Sequence, residues 1–213
     1  MNLMKFKKIY FSISLSILIP GLISLLFFGL RPAIDFTGGS LLELRLTDQN
    51  QATLTKNDFE ETLAQFYEAS VVQKSGEQQV LIKGKEIDNQ QKDQLVANLS
   101  AKYGQAEVLR FETVGPVLGA ELLRKTLLAV FLVAGIITFY VWRQFKEHKY
   151  GLCAVLAMLH DSLILIGSFS LLGYFLQVEI DVLFVTALLT TLSFSVHDTI
   201  VVYDRIRELK RKH

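Results

Sequence analysis

Residues 9–30 read IYFSISLSILIPGLISLLFFGL, 22 positions without one charged side chain. At the helical rise of 1.5 Å per residue, that run reaches about 33 Å, enough to cross a hydrocarbon core of about 30 Å. It follows Lys5, Lys7 and Lys8 and ends in Phe27-Phe28-Gly29-Leu30-Arg31-Pro32, with no small-residue cleavage site. It is longer than the apolar centre of a signal peptide, so a retained signal-anchor helix is expected, bent at Pro20-Gly21.

Three further apolar stretches follow, at about 126–142, 151–176 and 182–203. Half of the chain is hydrophobic (51%), and its charged residues (20%) gather in the block 31–125 and in short clusters. A soluble domain mixes charge along every element; this segregation is that of a membrane protein. The clusters set the expected orientation. Lys5, Lys7 and Lys8 precede the first span, Arg143, Lys146 and Lys149 lie between the second and third, and Arg205, Arg207, Lys210, Arg211 and Lys212 follow the fourth. The connection at 177–181 carries only the acids Glu179 and Asp181. By the positive-inside rule both termini are cytoplasmic, the outer block is extracytoplasmic, and the basic tail is a topology anchor. Cys153, the one cysteine, excludes an internal disulfide and is expected to be a small buried hydrophobe.

The outer block predicts a small domain. SLLELRLT (40–47) alternates as a strand, and Phe59, Leu63 and Phe66 recur at helical spacing in 55–69, with Thr55 or Asn57 as cap. Short strands at 70–74 and 79–84 flank a turn at Ser75-Gly76-Glu77. Leu95 and Leu99 share a helical face in 88–103, Gly104 ends that helix, and AEVLRFET (106–113) is a last strand. The predicted fold is therefore an α-helical membrane protein of about four spans with an inserted α+β, ferredoxin-like (βαββαβ) domain. Its divisions are 1–30, 31–120 and 121–213. The block contains no nucleotide loop, metal-ligand spacing or nucleophile–base pair, so no enzyme activity, cofactor, metal or nucleic-acid partner is expected.

The fourth span, VLFVTALLTTLSFSVHDTIVVYDRIRE (182–208), carries the chemistry. His197 and Asp198 lie six or seven residues before Asp204, about 9 Å inside the membrane boundary. Thr186, Thr190, Ser193 and His197 make one polar stripe, and Thr191, Ser195 and Asp198 a second beside it. An ionised Asp at membrane depth costs about 2.5–3.5 kcal/mol, so these groups are expected to face the bundle interior, pair, or be protonated. The third span repeats the theme with His160-Asp161 near mid-membrane, while Gly167, Ser168, Ser170 and Gly173 permit close helix contacts. Two intramembrane His-Asp pairs on successive helices have the chemistry of a proton relay, because imidazole titrates near neutrality and a carboxylate is its natural partner. Tyr203-Asp204-Arg205 is expected to clamp the cytoplasmic boundary.

These motifs resemble the SecF family of bacterial protein-export subunits. Asp35-Phe36-Thr37-Gly38-Gly39 is similar to its DFTGG motif, Val114-Gly115-Pro116-Val117-Leu118-Gly119 to its VGPxLG motif, and His160-Asp161 to its HD pair. Ser195 to Glu208 resembles its S-x-N-D-T-I-V-V-F-D-R-I-R-E block. The resemblance runs from residue 35 to 208 and implies half of an RND-like proton-driven complex in the bacterial inner membrane. That complex pairs with SecD, associates with SecYEG, draws out translocating unfolded preprotein, and contacts membrane lipids. It implies proton transfer at Asp198; Asp161, His197 and His160 belong to the relay read from the residues themselves. Two departures stand out: His197 replaces the family's Asn, and the chain carries four spans where the family has six, an expected truncation. The alternatives are a non-transporting scaffold for SecD and SecYEG, or an RND-type lipid or drug exporter subunit. The DFTGG glycines suit a tight exit from membrane to domain, with Asp35 fixing the turn.

Overall fold

The computed structural model of the protein describes residues 3–47, 56–74, 79–144 and 148–212. A 3-10 turn (Leu3–Phe6) leads into α1 (Lys7–Phe28), the one-turn α2 (Ile34–Thr37), β1 (Gly39–Thr47), α3 (Lys56–Ala64), β2 (Ala69–Lys74) and β3 (Gln79–Gly84). Then come α4 (Asn89–Tyr103), β4 (Gln105–Val114), α5 (Pro116–Gln144), α6 (His148–Leu176) and α7 (Val182–Lys212). The chain divides into a helical unit, Met1–Pro32 with Arg124–His213, and an α/β unit, Ala33–Leu123.

In the α/β unit the strands lie in the order β2-β3-β1-β4, with every neighbouring pair antiparallel. Leu42, Leu44 and Leu46 alternate along β1 and are fully buried, as the period of two requires. They join Val72, Val80 and Ile82 from the sheet and Phe59, Leu63, Leu95 and Leu99 from the two helices in one core. A bulge between Glu43 and Leu44 leaves Leu109 of β4 without an opposite residue. The α4 start is held by a capping box: Gln91 N donates to Asp88 Oδ1 (2.7 Å), and Asp88 N donates to Gln91 Oε1 (3.0 Å). Gly104, at φ 84°, ends the helix as expected.

α3 stops sooner than its apolar spacing predicts. Both Phe66 N and Tyr67 N donate to Leu63 O, a tight closure that swings Tyr67 into the core and leaves Phe66 half exposed. Of the two expected caps, Asn57 lies inside α3 rather than before it, and Thr55 falls outside the described residues, as does the turn at 75–77.

In the helical unit, α1, α5, α6 and α7 are each long and apolar enough to cross a membrane. The protein is therefore a helical membrane protein with four apolar helices and a small antiparallel sheet. α1 and α6 run parallel and in register. Ser14 meets His160, Gly21 meets Gly167, Ser24 meets Ser170, and Phe28 stacks on Tyr174, always 146 residues apart. A Cβ on Gly21 would stand 3.0 Å from the Gly167 Cα, so the two backbones touch. Pro20 lies within a continuous α1, beside this closest approach. Buried Ser170 donates to Gly29 O (2.7 Å), which leaves Ser24 as donor to Ser170 (2.9 Å).

α7 packs through Leu188, Leu192 and Val196, a four-residue repeat that meets Ala154 and Met158 of α6 and Val141 of α5. Phe184, one turn earlier, lies against Phe169. Gly151 lies against the Val141 and Trp142 backbones, where α5 approaches α6. Cys153 corrects its expected burial: its side chain is exposed. The apolarity of a span says that it is out of water, not which of its sides meets protein.

Candidate functional site in the membrane helices

On α6, His160 and Asp161 are neighbours in sequence and partners in space, with Nδ1 2.9 Å from Asp161 Oδ1. The other ring nitrogen, Nε2, hydrogen-bonds Ser14 Oγ on α1. His160 and Asp161 are both partly buried. Sequence reasoning missed Ser14. The signal was available: Ser14, Gly21 and Ser24 have the same mutual spacing as His160, Gly167 and Ser170, so one parallel register aligns all three pairs.

The stripe on α7 takes a different position from the expected one. Thr186, Thr190, Ser193, His197 and Asp198 are all exposed. The packed face of Leu188, Leu192 and Val196 points elsewhere, so the interior location expected for these groups is not met within these four helices. Thr186, Thr190 and Thr191 return their hydroxyls to the carbonyls four residues back, as solitary hydroxyls on a membrane helix do. His197 and Asp198 make no hydrogen bond or ion pair among the described residues. The Ser195 Oγ, one turn before Asp198, is buried without a partner. The structure thus joins His160 to Asp161 and leaves His197 and Asp198 turned outward.

At the boundary, Asp204 faces Arg207 at 3.6 Å, and Arg205 pairs with Glu208, which also accepts from Lys212 (2.7 Å). Each of these pairs runs along α7, the spacing of three or four residues that a helix brings together. The Tyr203 ring lies 5.0 Å from that of Tyr150.

The two glycine motifs meet within the α/β unit. Gly38 (φ 73°) and Gly39 (φ 123°) hold left-handed backbone that favours glycine. A Cβ on Gly38 would lie 2.6 Å from the Pro116 Cα, and one on Gly119 would lie 2.8 Å from Gly38 N. Asp35 is in the first turn of α2, and Thr37 Oγ1 donates to the Ala33 and Gly38 carbonyls (both 3.1 Å). Gly115 has the Glu86 carboxylate 3.5 Å from its Cβ position. Among the described residues, no group of three or more His, Cys, Asp or Glu is placed to hold a metal ion.

Comparison with known proteins places this geometry. The family described as "Protein export membrane protein SecD/SecF, C-terminal" matches residues 94–213, and the "SecD/SecF GG Motif" matches residues 23–49. The protein translocase subunit SecF of Thermobaculum terrenum is 39% identical across 97% of this chain and 69% of its own length. That of Anaerolinea thermophila is 36% identical across 98% and 69%. The crystal structure of SecDF, a translocon-associated membrane protein from Thermus thermophilus, superposes with TM-score 0.78 at 30% identity, covering all of this chain and 28% of that one.

Proposed function

The chain belongs to the SecF family of protein translocase subunits, and from that premise we propose that it works with SecD and SecYEG, using the proton gradient to help draw unfolded preproteins across the bacterial inner membrane. The observation that carries the proton step is the outward polar stripe of α7. Asp198 and His197 sit at membrane depth on a face that is exposed among the described residues. Left against hydrocarbon, an ionised Asp there is disfavoured by about 2.5–3.5 kcal/mol. A polar partner helix relieves that penalty, and SecD is the partner that the family supplies. Asp198 then carries the proton, His197 tunes it, and His160-Asp161 form a second station.

Both termini are cytoplasmic in this reading. The basic clusters support it, and so does one feature of the far side. Ile180 N donates to Arg31 O (2.7 Å), so the exit of α1 and the acidic α6–α7 connection share one end of the helical unit. Asp181 caps α7 there, accepting from Phe184 N (2.8 Å). We read the outer unit as ferredoxin-like, supported by its strand order and by helices between β1 and β2 and between β3 and β4.

The test is export of a pulse-labelled secreted protein in cells whose own SecF is replaced by the native chain or by Asp198→Asn. Loss of export with the variant still assembled on SecD is the expected result. Normal export would remove Asp198 from the proton path and favour a scaffold role.

A further inference from the structure

Ser14, His160 and Asp161 form an unbroken hydrogen-bonded row across two helices, and its chemistry assigns each proton. An ionised Asp161 can only accept, so His160 Nδ1 carries the proton and donates to Oδ1 across 2.9 Å. In the neutral ring Nε2 is then a bare lone pair, and its partner among the described residues is the Ser14 hydroxyl, which donates. When the ring takes up a proton, Nε2–H becomes a donor, and Ser14 must turn from donor to acceptor. A serine inside a helix can do so, because its own proton can turn to the carbonyl one turn back, here that of Tyr10. Thr186, Thr190 and Thr191 already make this bond in α7.

We propose that Ser14 is a positioning residue for His160: its hydroxyl fixes the Nδ1–H tautomer in the neutral ring and accepts from Nε2–H in the charged one. The row therefore stays bonded in both protonation states, and α1 stays tied to the imidazole. Alanine at this position would leave Nε2 unpartnered in either state. The surroundings isolate the row. α1 has no charged residue between Lys8 and Arg31, and α5 has none between Lys125 and Arg143. α7 brings His197 and Asp198, and α6 itself adds only Tyr150, Cys153 and Tyr174 as further titratable groups after Lys149. The order of groups is that of a nucleophilic triad, but Ser14 lies inside α1, where the backbone N–H groups are committed to the helix. Around Ser14 the backbone of α1 therefore offers no donor pair for an oxyanion, and a role in handling protons suits the row better.

The part of this inference that concerns transport rests on the proton-driven reading; the tautomer does not, and the two are measured separately. The full chain, carrying nitrogen-15 histidine, is placed in lipid vesicles and brought to a pH at which the histidine signals are those of neutral rings. Its His160 signals are recorded by solid-state NMR and assigned through His160→Gln. The native protein is expected to show one protonated Nδ1 and a hydrogen-bonded Nε2. Ser14→Ala should shift the Nε2 signal toward that of an unbonded lone pair, and Ser14→Thr should restore it. Cross-linking of Ser24→Cys to Ser170→Cys in the Ser14→Ala background reports that α1 and α6 still pack, so a shift is not mere separation. In the export assay Ser14→Ala should lower the rate about tenfold, with Ser14→Thr near native, the scale of a lost orienting partner. An Nε2 signal unmoved by Ser14→Ala with the cross-link intact overturns the proposal. If Asp198→Asn exports normally while the Nε2 signal still shifts, the proton-driven reading fails and the positioning of His160 stands.

Discussion

A Cβ on Gly39 would stand 2.5 Å from the Gly84 carbonyl oxygen, at a φ of 123° that side chains rarely adopt. Neither problem can be relieved by a rotamer, because the obstacle is backbone in the neighbouring strand. Gly39→Ala is therefore expected to destabilise the α/β unit by at least about 2 kcal/mol, combining backbone strain with overpacking. Loss of trypsin resistance of that unit, in the intact membrane-bound chain, reads it out; native resistance would mean that β1 and β3 can part at no cost. Tyr67 supplies a pH signature in the same unit. Its buried hydroxyl donates to Lys85 O (2.6 Å), and burial pushes the phenol up to about 12. Unfolding returns it to its ordinary value of about 10. A raised native value stabilises the fold fully below pH of about 10, and that contribution is lost as pH climbs toward about 12. Heat-unfolding midpoints of the native chain should fall more steeply over that window than those of Tyr67→Phe. Parallel curves for the two proteins would show that the phenol is not held neutral by the fold.

Among the elements, the pairing of α1 with α6 is set by side chains that are small rather than apolar. Ser24 and Ser170 hydroxyls lie 2.9 Å apart, so cysteines there should bridge readily under mild oxidation, within the reach of a disulfide. Gly21→Leu should abolish that bridge by forcing the backbones apart; a bridge that survives Gly21→Leu would refute the register. The sequence showed Gly167 and Ser170 as small contact positions on α6, but their partners on α1 sit in a run where nearly everything is apolar. Period and charge mark a span; they do not mark its side. The same gap accounts for Cys153, placed inside by its apolar neighbours and found exposed, and for the side of α7 on which Thr186, Thr190, Ser193, His197 and Asp198 lie exposed while Thr191 and Ser195 are half-buried. Water-facing elements were more legible. Alternation located β1, Gly104 located the end of α4, and Leu95 with Leu99 located its buried face, since there one side must be wet. Phe66 misled because a turn, closed on the Leu63 carbonyl, replaced the last helical residues.

For the whole molecule, the helical unit presents two polar features of different character. His160-Asp161 is tied to Ser14 within the chain, whereas His197 and Asp198 face away from every helix described. This chain covers 69% of the length of its Thermobaculum relative and 28% of the SecDF chain. In the function proposed above, Asp198 couples export to the proton gradient from that outward face. The most direct measurement is preprotein export in membrane vesicles carrying native or Asp198→Asn protein with SecD and SecYEG, with the gradient intact or collapsed by an ionophore. Collapse is expected to slow the native complex by at least about tenfold, and Asp198→Asn to run at the collapsed rate in both conditions. An Asp198→Asn complex that still speeds up with the gradient, as the native one does, would contradict it.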